Sequence, residues 1–323
     1  MNNYSNIQKL LHRIALSSNF FKEIYFDFEK LFFLNKQIKL DDNHVFISGM
    51  ARSGTTILLN AIYKSDEFAS LTYQDMPFVL SPNLWSKLNK DGMTLNKQER
   101  AHEDGIKIDT NSPEAFEEVF WKTFHHDESD TFIKFTNFIQ LICMKYNKHR
   151  YLSKNNQNTK RIDYLIKNYP NSKIIIPFRE PTQHAFSLYN QHKKFISLQK
   201  KDDFNRKYMF WIGHSEFGTD YNCISKNNIV YENSNEFNHW LEQWYLSYKM
   251  LKQYKKSSNV FFVCYEKLCR DSLVFESILD FIRVESRLNF DFHESKKYIN
   301  VSYDKGLSSK CESLYRELIP LVK

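Results

Sequence analysis

The stretch "VFISGMARSGTTILLNAIY", residues 45–63, has the order of a buried strand, a glycine-containing loop and a helix. Gly49 and Gly54 have the spacing of the Walker A motif, G-x-x-x-x-G-K-[ST], but Thr55 stands where the lysine belongs and Thr56 follows it. The chain has only seven glycines, so two in one loop indicate a backbone that requires them. The N–H groups of such a loop and the positive end of the next helix bind oxyanions.

Side chains in this loop add to its anion-binding character. Ser53, Thr55 and Thr56 supply hydroxyl donors. Arg52 supplies a planar cation suited to a bidentate grip on an oxyanion. The loop therefore predicts a phosphate-like ligand that is held without the lysine used to clamp a triphosphate.

Apolar runs and helical patterns alternate along the chain. The runs at 44–49, 172–179 and 259–266 predict buried strands, and helical periodicity marks 55–63, 181–195, 236–255 and 273–283. This alternation predicts an α/β fold with a largely parallel central sheet that is flanked by helices. Pro177 lies inside the second run and cannot donate a ladder hydrogen bond, which predicts that this strand lies at an edge or ends early.

The chain contains no Pro/Gly/Ser-rich linker and no internal repeat, which predicts a single domain over 1–323. Residues 1–40 alternate apolar and charged positions at helical spacing, as in "FFKEIYFDFEKLFFL" at 20–34. We expect an N-terminal helical extension that packs on the core, with binding to a membrane surface or a partner helix as the alternative.

Charge and cysteine content limit the class of partner and the compartment. A formal charge of +7 and a pI near 8.9 favour anionic ligands, but no nucleic-acid-binding module is recognisable, so no nucleic-acid partner is expected. The five cysteines include no CxxC pair and leave one unpaired in any disulfide scheme, which predicts a reducing, cytoplasmic location. No apolar run reaches about 18 residues, so no transmembrane segment is expected.

A second candidate anion site lies in "IIIPFREPTQHAFSLYNQH", residues 174–192. Arg179 ends the predicted strand, Pro181 opens a helix, and Ser187 follows eight residues after the arginine. The carboxyl ends of parallel strands meet at one edge of a sheet, so this arginine is expected at the same crevice as the glycine loop. His184, Ser187 and Gln191 share one face of the predicted helix.

Together these two elements resemble those of sulfotransferases that use 3′-phosphoadenosine 5′-phosphosulfate (PAPS). "GMARSGTT", residues 49–56, is similar to the family's 5′-phosphosulfate loop, and the strand–Arg–x–Pro–helix–Ser pattern is similar to its 3′-phosphate element. The segments 151–173 and 264–282 extend the resemblance over most of 44–285. It implies a fold of the P-loop nucleotide-binding type, PAPS as the donor cosubstrate, 3′-phosphoadenosine 5′-phosphate (PAP) as its product, and no metal. The implied cofactor-binding residues are Arg52, Ser53, Gly54, Thr55, Thr56, Arg179 and Ser187.

The resemblance also implies catalytic roles. Sulfuryl transfer needs a base for the acceptor proton and cations for the charge on the leaving phosphate. Arg52 is predicted to stabilise the sulfuryl group and the leaving phosphate, with Lys154 as a second cation. Asp75, ahead of a Met-Pro turn, resembles the position of the family's base. The alternatives for the base are His102, Asp104, Asp109 and Glu114.

Ser112 and Pro113 before "EAFEEVFW" are typical of a helix N-terminus, so Glu114, Glu117 and Glu118 are predicted to complement a helix dipole rather than to catalyse. His125, His126 and His214 have no second ligand set at metal-binding spacing, and no metal is expected.

The acceptor is predicted to be a hydroxyl group of a carbohydrate or a related metabolite. Its specificity is expected in 76–150 and 195–258, where tryptophans at 85, 121, 211 and 240 either belong to the core or stack on sugar rings. The alternative functions are a P-loop kinase or nucleotidase, and a nucleotide-binding module without catalysis.

Overall fold

The computed structural model describes residues 4–35, 38–89, 98–99, 107–124, 128–224, 229–286, 288–294 and 296–319. The strands are β1 (Val45–Ile47), β2 (Phe68–Ala69), β3 (Gln98–Glu99), β4 (Lys107–Ile108), β5 (Arg150–Lys154), β6 (Lys173–Phe178) and β7 (Val260–Cys264). The helices are α1 (Asn6–Leu16), α2 (Asn19–Phe33), α3 (Thr55–Tyr63), α4 (Pro82–Leu88), α5 (Glu118–Phe124), α6 (Glu128–Tyr146), α7 (Ile162–Asn168), α8 (Pro181–Lys201), α9 (Asp203–Trp211), α10 (Phe237–Leu251), α11 (Tyr265–Arg270), α12 (Ser272–Phe281) and α13 (Lys305–Leu318). Short 3₁₀ helices span Tyr73–Asp75, Asn156–Lys160 and Lys252–Lys256.

A five-stranded parallel sheet in the order β2-β5-β1-β6-β7 forms the centre of the fold. Successive residues of β1 enter opposite apolar clusters: Phe46 packs in the cluster that contains Ile174, whereas Val45 and Ile47 pack in the cluster that contains Ile175. Both faces are thus buried, which is why the strands are continuous apolar runs. The predicted α/β fold with a largely parallel sheet is confirmed. Strands β3 and β4 form a separate antiparallel pair.

The order of the strands reverses direction at β1. From β1 the chain passes to β2 and β5 on one side, and then crosses to β6 on the other side. Ile47, the last residue of β1, is level with Lys154 on one neighbour and with Ile175 on the other. The loop that follows β1 therefore emerges between the carboxyl ends of β5 and β6, where ligands of open α/β sheets bind.

Of the two alternatives predicted for the strand that contains Pro177, the edge position is wrong, and an early end holds only for its pairing with β1. β6 pairs with β1 on one side and with β7 on the other. Its ladder with β1 stops at Ile175, whose carbonyl accepts from the Ser48 N–H at 2.9 Å. Residues two apart point their backbone groups to the same side, so the missing N–H of Pro177 faces the departing loop, where no ladder partner is needed.

The N-terminal extension is helical, but α2 does not pack through its apolar stripe. Its buried positions are Lys22, Phe26 and Glu29. The Glu29 carboxylate accepts hydrogen bonds from Asn83 N and Leu84 N, at 2.8 and 2.9 Å, in the first turn of α4. These bonds satisfy orphan donors of that helix and turn the charged face of α2 inward. The outward face carries the exposed side chains of Phe20, Phe21, Phe28, Leu31 and Phe32.

In the described ranges, none of the helices combines the length and the apolar character needed to cross a bilayer.

The buried histidines of the described residues include His44, just before β1, and His192, in α8. Burial lowers the pKa of His44 to about 4, and the charge of Arg150 adds to this effect. Burial also lowers the pKa of His192 to about 4, with a further contribution from the charge of His239. Both imidazoles are therefore neutral in the folded protein at neutral pH.

These histidines predict a loss of stability in mild acid. An unfolded imidazole has a pKa of about 6.5, so between that pH and about 4 the unfolded chain binds more protons than the folded one. The free energy of unfolding should fall as pH falls through this window, by up to about 1.4 kcal/mol per pH unit for each histidine. Urea unfolding at several pH values measures the slope. His44→Gln should make the slope shallower. Equal slopes for wild type and His44→Gln would contradict the assignment.

Candidate active site

The glycine loop, residues 49–54, has two residues in the left-handed backbone region. The φ angles are +69° at Arg52 and +100° at Gly54. A Cβ at Gly54 would lie 2.5 Å from Cδ2 of Tyr265, and one at Gly49 would lie 3.1 Å from Cδ of Pro177. Both glycines thus have a steric reason in the structure, and Gly54 has a conformational one as well.

The carbonyl groups of the glycine loop are held from within the protein. Ser53 Oγ donates to the Met50 carbonyl at 2.7 Å, and His184 Nε2 donates to the Ala51 carbonyl at 2.8 Å. Burial lowers the pKa of His184 to about 3, so its ring is neutral and carries the proton on Nε2. These bonds hold the loop in one shape at the start of α3.

Arg179 and Ser187 lie directly against the glycine loop. Arg52 Nε donates to Ser187 Oγ at 3.2 Å, and Arg179 Nη1 donates to the Arg52 carbonyl at 3.2 Å. The start of α8 is set by Pro181 in its first turn and by Glu180, whose carboxylate accepts from two backbone N–H groups. Two arginines and two hydroxyl-bearing segments therefore meet at the carboxyl end of the sheet.

Arg179 is positioned by residues that follow β7. Its Nε lies 3.8 Å from Glu266 Oε1, and its guanidinium lies over the Tyr265 ring at 5.4 Å. The same Glu266 oxygen accepts from Glu180 N at 3.0 Å, and Tyr315 of α13 donates to the other oxygen at 3.1 Å. Tyr265 and Glu266 lie in the segment 264–282, which carries part of the family resemblance but for which no role was predicted.

A small cavity of ≈ 30 Å³ opens beside the glycine loop. Of the predicted site residues, Arg52, Thr55, Thr56 and Lys154 line it together. Its remaining walls are Ala51, Glu114, Asn156, Met209, His214, Glu216 and Phe217. The cavity thus combines cations and hydroxyl groups with carboxylates and an apolar surface.

Glu114 enters this cavity because the predicted helix start is wrong. Helix α5 begins at Glu118, and Pro113 forms an isolated antiparallel bridge with Thr72. Glu114 Oε1 accepts from Ala115 N at 3.0 Å and lies 3.9 Å from Lys154 Nζ, while Oε2 accepts from the Tyr73 hydroxyl at 3.3 Å. The carboxylate is therefore a buried group at this cavity rather than a complement to a helix dipole.

The two following glutamates serve the fold. Glu117 accepts from the Trp121 ring nitrogen at 2.9 Å and from Asn158 Nδ2 at 2.8 Å. Glu118, in the first turn of α5, pairs with both terminal nitrogens of Arg161 at 2.7 and 2.8 Å. These contacts connect α5 to the segment that follows β5, the strand whose last residue is Lys154.

Asp75 does not line the cavity. It is fully buried and forms an ion pair with Lys145. Its second oxygen accepts from Thr72 N and from the Tyr146 hydroxyl, both at 2.7 Å. Because these donors take up both oxygens, the contacts are those of a residue that organises the turn after β2.

The other sequence candidates for the base are also accounted for. Asp109 accepts hydrogen bonds from Asn111 N and Ser112 Oγ, so its carboxylate stabilises the turn in which it lies. His102 and Asp104 lie outside the described residues.

Trp121 and Trp240 are core residues, at 1% and 2% exposed. His214 Nε2 donates to the Ala115 carbonyl at 2.9 Å, and the described part of the chain contains no group of three His, Cys, Asp or Glu side chains that could hold a metal.

Sequence reasoning missed Asn156 and Glu216, although one signal pointed to the second. Gly213 and Gly218 flank Glu216 and have φ angles of +80° and +87°. Side chains of Glu118 and Gln199 occupy the space that a Cβ would need at these glycines. The scarcity of glycine that drew attention to residues 49–54 therefore applies equally to "GHSEFG" at 213–218.

A sequence model of the sulfotransferase family matches residues 44–212, slightly more than half of the chain. Among solved structures, the chain is similar to sulfotransferase STF1 of Mycobacterium tuberculosis, with 13% identity, a TM-score of 0.49, and coverage of 96% of this chain and 81% of that one. For STF9 of Mycobacterium avium the values are 12%, 0.47, 98% and 79%, and for a sulfotransferase of Alicyclobacillus acidocaldarius they are 12%, 0.41, 87% and 94%. No curated protein sequence matches the chain.

The environment of Asp75 predicts that its replacement harms stability. Asp75→Asn leaves the buried Lys145 ammonium without its counter-charge, and breaking a buried pair in this way costs about 3–5 kcal/mol. We expect the free energy of unfolding in urea to fall by that amount. The matched control is Asp203→Asn, which breaks an exposed i,i+4 pair with Lys207 and should cost less than about 1 kcal/mol. A stable but inactive Asp75→Asn protein would instead support a catalytic aspartate.

Proposed function

The chain belongs to the sulfotransferase family, and from this premise we propose that it transfers the sulfuryl group of PAPS to a hydroxyl group of a carbohydrate or a related metabolite. The protein is a sulfotransferase enzyme by this membership. The identity of the donor, the identity of the acceptor and the roles of individual residues are the content of the proposal.

The contact between the two anion-binding elements carries the choice of donor. PAPS has a phosphosulfate at the 5′ position and a phosphate at the 3′ position of one ribose, so it needs two oxyanion sites a short distance apart. The hydrogen bonds that join Arg52 to Ser187 and Arg179 to the Arg52 carbonyl support such a pair of sites. A nucleoside triphosphate needs only the first of them.

The loop supplies the groups expected at the phosphosulfate. Ser53, Gly54, Thr55 and Thr56 form the turn into α3, whose backbone N–H groups and positive end favour a doubly charged oxyanion. Arg52 offers a planar cation to the sulfuryl oxygens and the leaving phosphate. Arg179 and Ser187 then bind the 3′-phosphate, with the Glu266 carboxylate holding the Arg179 guanidinium in place.

Glu114 is the general base in this proposal, in place of Asp75. Its carboxylate lies in the same cavity as Arg52 and Thr56, whereas Asp75 is enclosed elsewhere. The acceptor oxygen bonds to sulfur while the bond from sulfur to the bridging phosphate oxygen breaks. The acceptor proton passes to the Glu114 carboxylate, and PAP leaves with the electron pair.

Lys154 is the second cation of the reaction. It ends β5 next to the loop, and its ammonium lies 3.9 Å from the Glu114 carboxylate. Charge is therefore balanced before the donor binds, and the ammonium can turn toward the developing charge on the leaving phosphate.

We also propose a reducing, cytoplasmic location, because all five cysteines are free thiols.

The choice of donor predicts a preference between two nucleotides. Isothermal titration calorimetry should show that PAP binds and that ATP binds much more weakly, because only PAP places a phosphate at Arg179 and Ser187. Arg179→Ala should weaken PAP binding about 10–100-fold, since hydrogen bonds to charged groups contribute about 1.5–3 kcal/mol. The affinity for 5′-AMP, which has no 3′-phosphate, should stay unchanged. Preference for ATP, or binding of neither nucleotide, would overturn the proposed donor and favour the kinase or nucleotidase alternative.

The choice of base predicts a loss of turnover without a loss of donor binding. Glu114→Gln should lower kcat by about 10²–10⁴-fold, the usual contribution of a general base. The affinity for PAP should change little, because the amide keeps the shape of the carboxylate. The midpoint of urea unfolding should fall, because the amide removes the negative charge beside the buried Lys154 ammonium, so kcat is measured at a urea-free condition in which PAP binding shows that the variant is folded. Glu276→Gln, on the exposed side of α12, serves as the matched control with wild-type turnover. Undiminished kcat in Glu114→Gln would exclude this residue as the base.

A further inference from the structure

Asn156 and Glu216 form a hydrogen-bonded pair that lines the proposed reaction cavity. The pair offers hydrogen-bond acceptors, whereas Arg52 of the glycine loop offers cationic donors. Asn156 Nδ2 donates to Glu216 Oε1 at 3.1 Å, and the two residues are only 6% and 9% exposed. The Asn156 carbonyl oxygen, Oδ1, is buried and has no hydrogen-bond partner within the described residues. A buried acceptor of this kind costs stability unless a ligand supplies a donor.

Both members of the pair are held in place by the fold. Asn156 begins the 3₁₀ helix after β5, which Asn155 caps by accepting from Gln157 N at 3.0 Å. Glu216 lies on a loop that is tied at both ends: His214 Nε2 donates to the Ala115 carbonyl at 2.9 Å, and Gly218 N donates to His192 Nδ1 at 3.2 Å. The two acceptor groups are therefore organised before any ligand enters.

We propose that Asn156 Oδ1 and the Glu216 carboxylate recognise two neighbouring hydroxyl groups of the acceptor, which makes the acceptor a neutral polyol such as a sugar. This inference rests on the proposed sulfuryl transfer. A carboxylate and an amide oxygen accept but cannot donate toward the ligand through these atoms, so they select donors such as hydroxyl groups. An anionic acceptor would instead be repelled by Glu216 and by Glu114 in the same cavity.

The rest of the cavity fits the edge of a sugar ring. Met209 and Phe217 add apolar surface to the same cavity, against which the C–H face of a ring can pack. The cavity volume of ≈ 30 Å³ is that of two or three water molecules by the usual measure of about 10–15 Å³ each. It therefore admits a hydroxyl-bearing edge of the acceptor, and the remainder of the acceptor lies outside.

A phenol or a simple alcohol would satisfy the pair poorly. A single hydroxyl group can either occupy the position that receives the sulfuryl group or donate a hydrogen bond to the Asn156–Glu216 pair, but it cannot do both. Sites built to hydrogen-bond a substrate hydroxyl discriminate strongly against analogues that lack it, because their buried polar groups stay unpaired. The pair is thus a specificity-determining feature, separate from the groups that carry the transfer.

The test uses the full chain with PAPS and measures the release of PAP. The probes are methyl β-D-glucopyranoside, methyl α-D-mannopyranoside and methyl β-D-galactopyranoside, with 4-nitrophenol as the acceptor that carries one hydroxyl. We expect turnover of at least one glycoside and little or none of 4-nitrophenol. Glu216→Gln and Asn156→Leu should raise the KM for that glycoside at least about 10-fold, and the KM for PAPS should stay unchanged. Glu232→Gln, on the exposed surface after this loop, should match wild type.

Two outcomes would overturn the polyol assignment: turnover of 4-nitrophenol in preference to every glycoside, or turnover of no glycoside while PAP still binds. An unchanged glycoside KM in both Glu216→Gln and Asn156→Leu would remove the pair from recognition. Failure of the wild-type protein to bind PAP in calorimetry is a different result, because it would contradict the proposed function rather than the assignment of the acceptor. Calorimetry with PAP on each variant also reports whether the variant is folded.

Discussion

The parallel pairing of β1 with β6 limits where every group of the candidate site can lie. Because the strands run in the same direction, the glycine loop after β1 and Arg179 after β6 emerge at the same edge of the sheet. The pairing stops at Ile175, and the loop turns away beside Pro177, which needs no hydrogen bond on that side. Arg52 then reaches Ser187 in α8. Without this register, these two segments, which are distant in sequence, would not lie side by side.

Buried carboxylates hold the rest of the site around this edge. Glu266 ties Arg179 to the start of α8 and to α13, and Glu118 ties α5 to Arg161 beyond β5. Asp75 joins the turn after β2 to Lys145 in α6. Such groups lose hydration on burial, and their donors compensate for that loss only in one arrangement. These carboxylates therefore favour a single arrangement of the surrounding segments, in addition to their effect on stability.

Candidate residues that lie close to a regular element could be identified from the sequence. On irregular segments, Glu114 was only one of several alternatives for the base, and Glu216 was missed. The glycine loop and the Arg179–Ser187 pattern are each local, since a strand end and the helix after it set the direction of the side chains. Glu114 depends on the bridge between Thr72 and Pro113, and Glu216 depends on a loop with two glycines of positive φ. Asp75 appeared suitable by its position in the chain, but its role is decided by Lys145 and Tyr146, more than 60 residues away.

The sequence by itself determined the parallel α/β fold, the loop that lacks the Walker lysine, and the second arginine-serine element, because periodicity and spacing along one chain segment encode them. The tertiary structure alone decided which carboxylates line the cavity beside the glycine loop, why Pro177 is tolerated in an inner strand, and which face of α2 is buried. It also decided that Asn156 and Glu216 are hydrogen-bonded and line the same cavity. These outcomes depend on contacts between segments far apart in sequence, and the ionic and hydrogen-bonding role of a side chain is set by its neighbours in space.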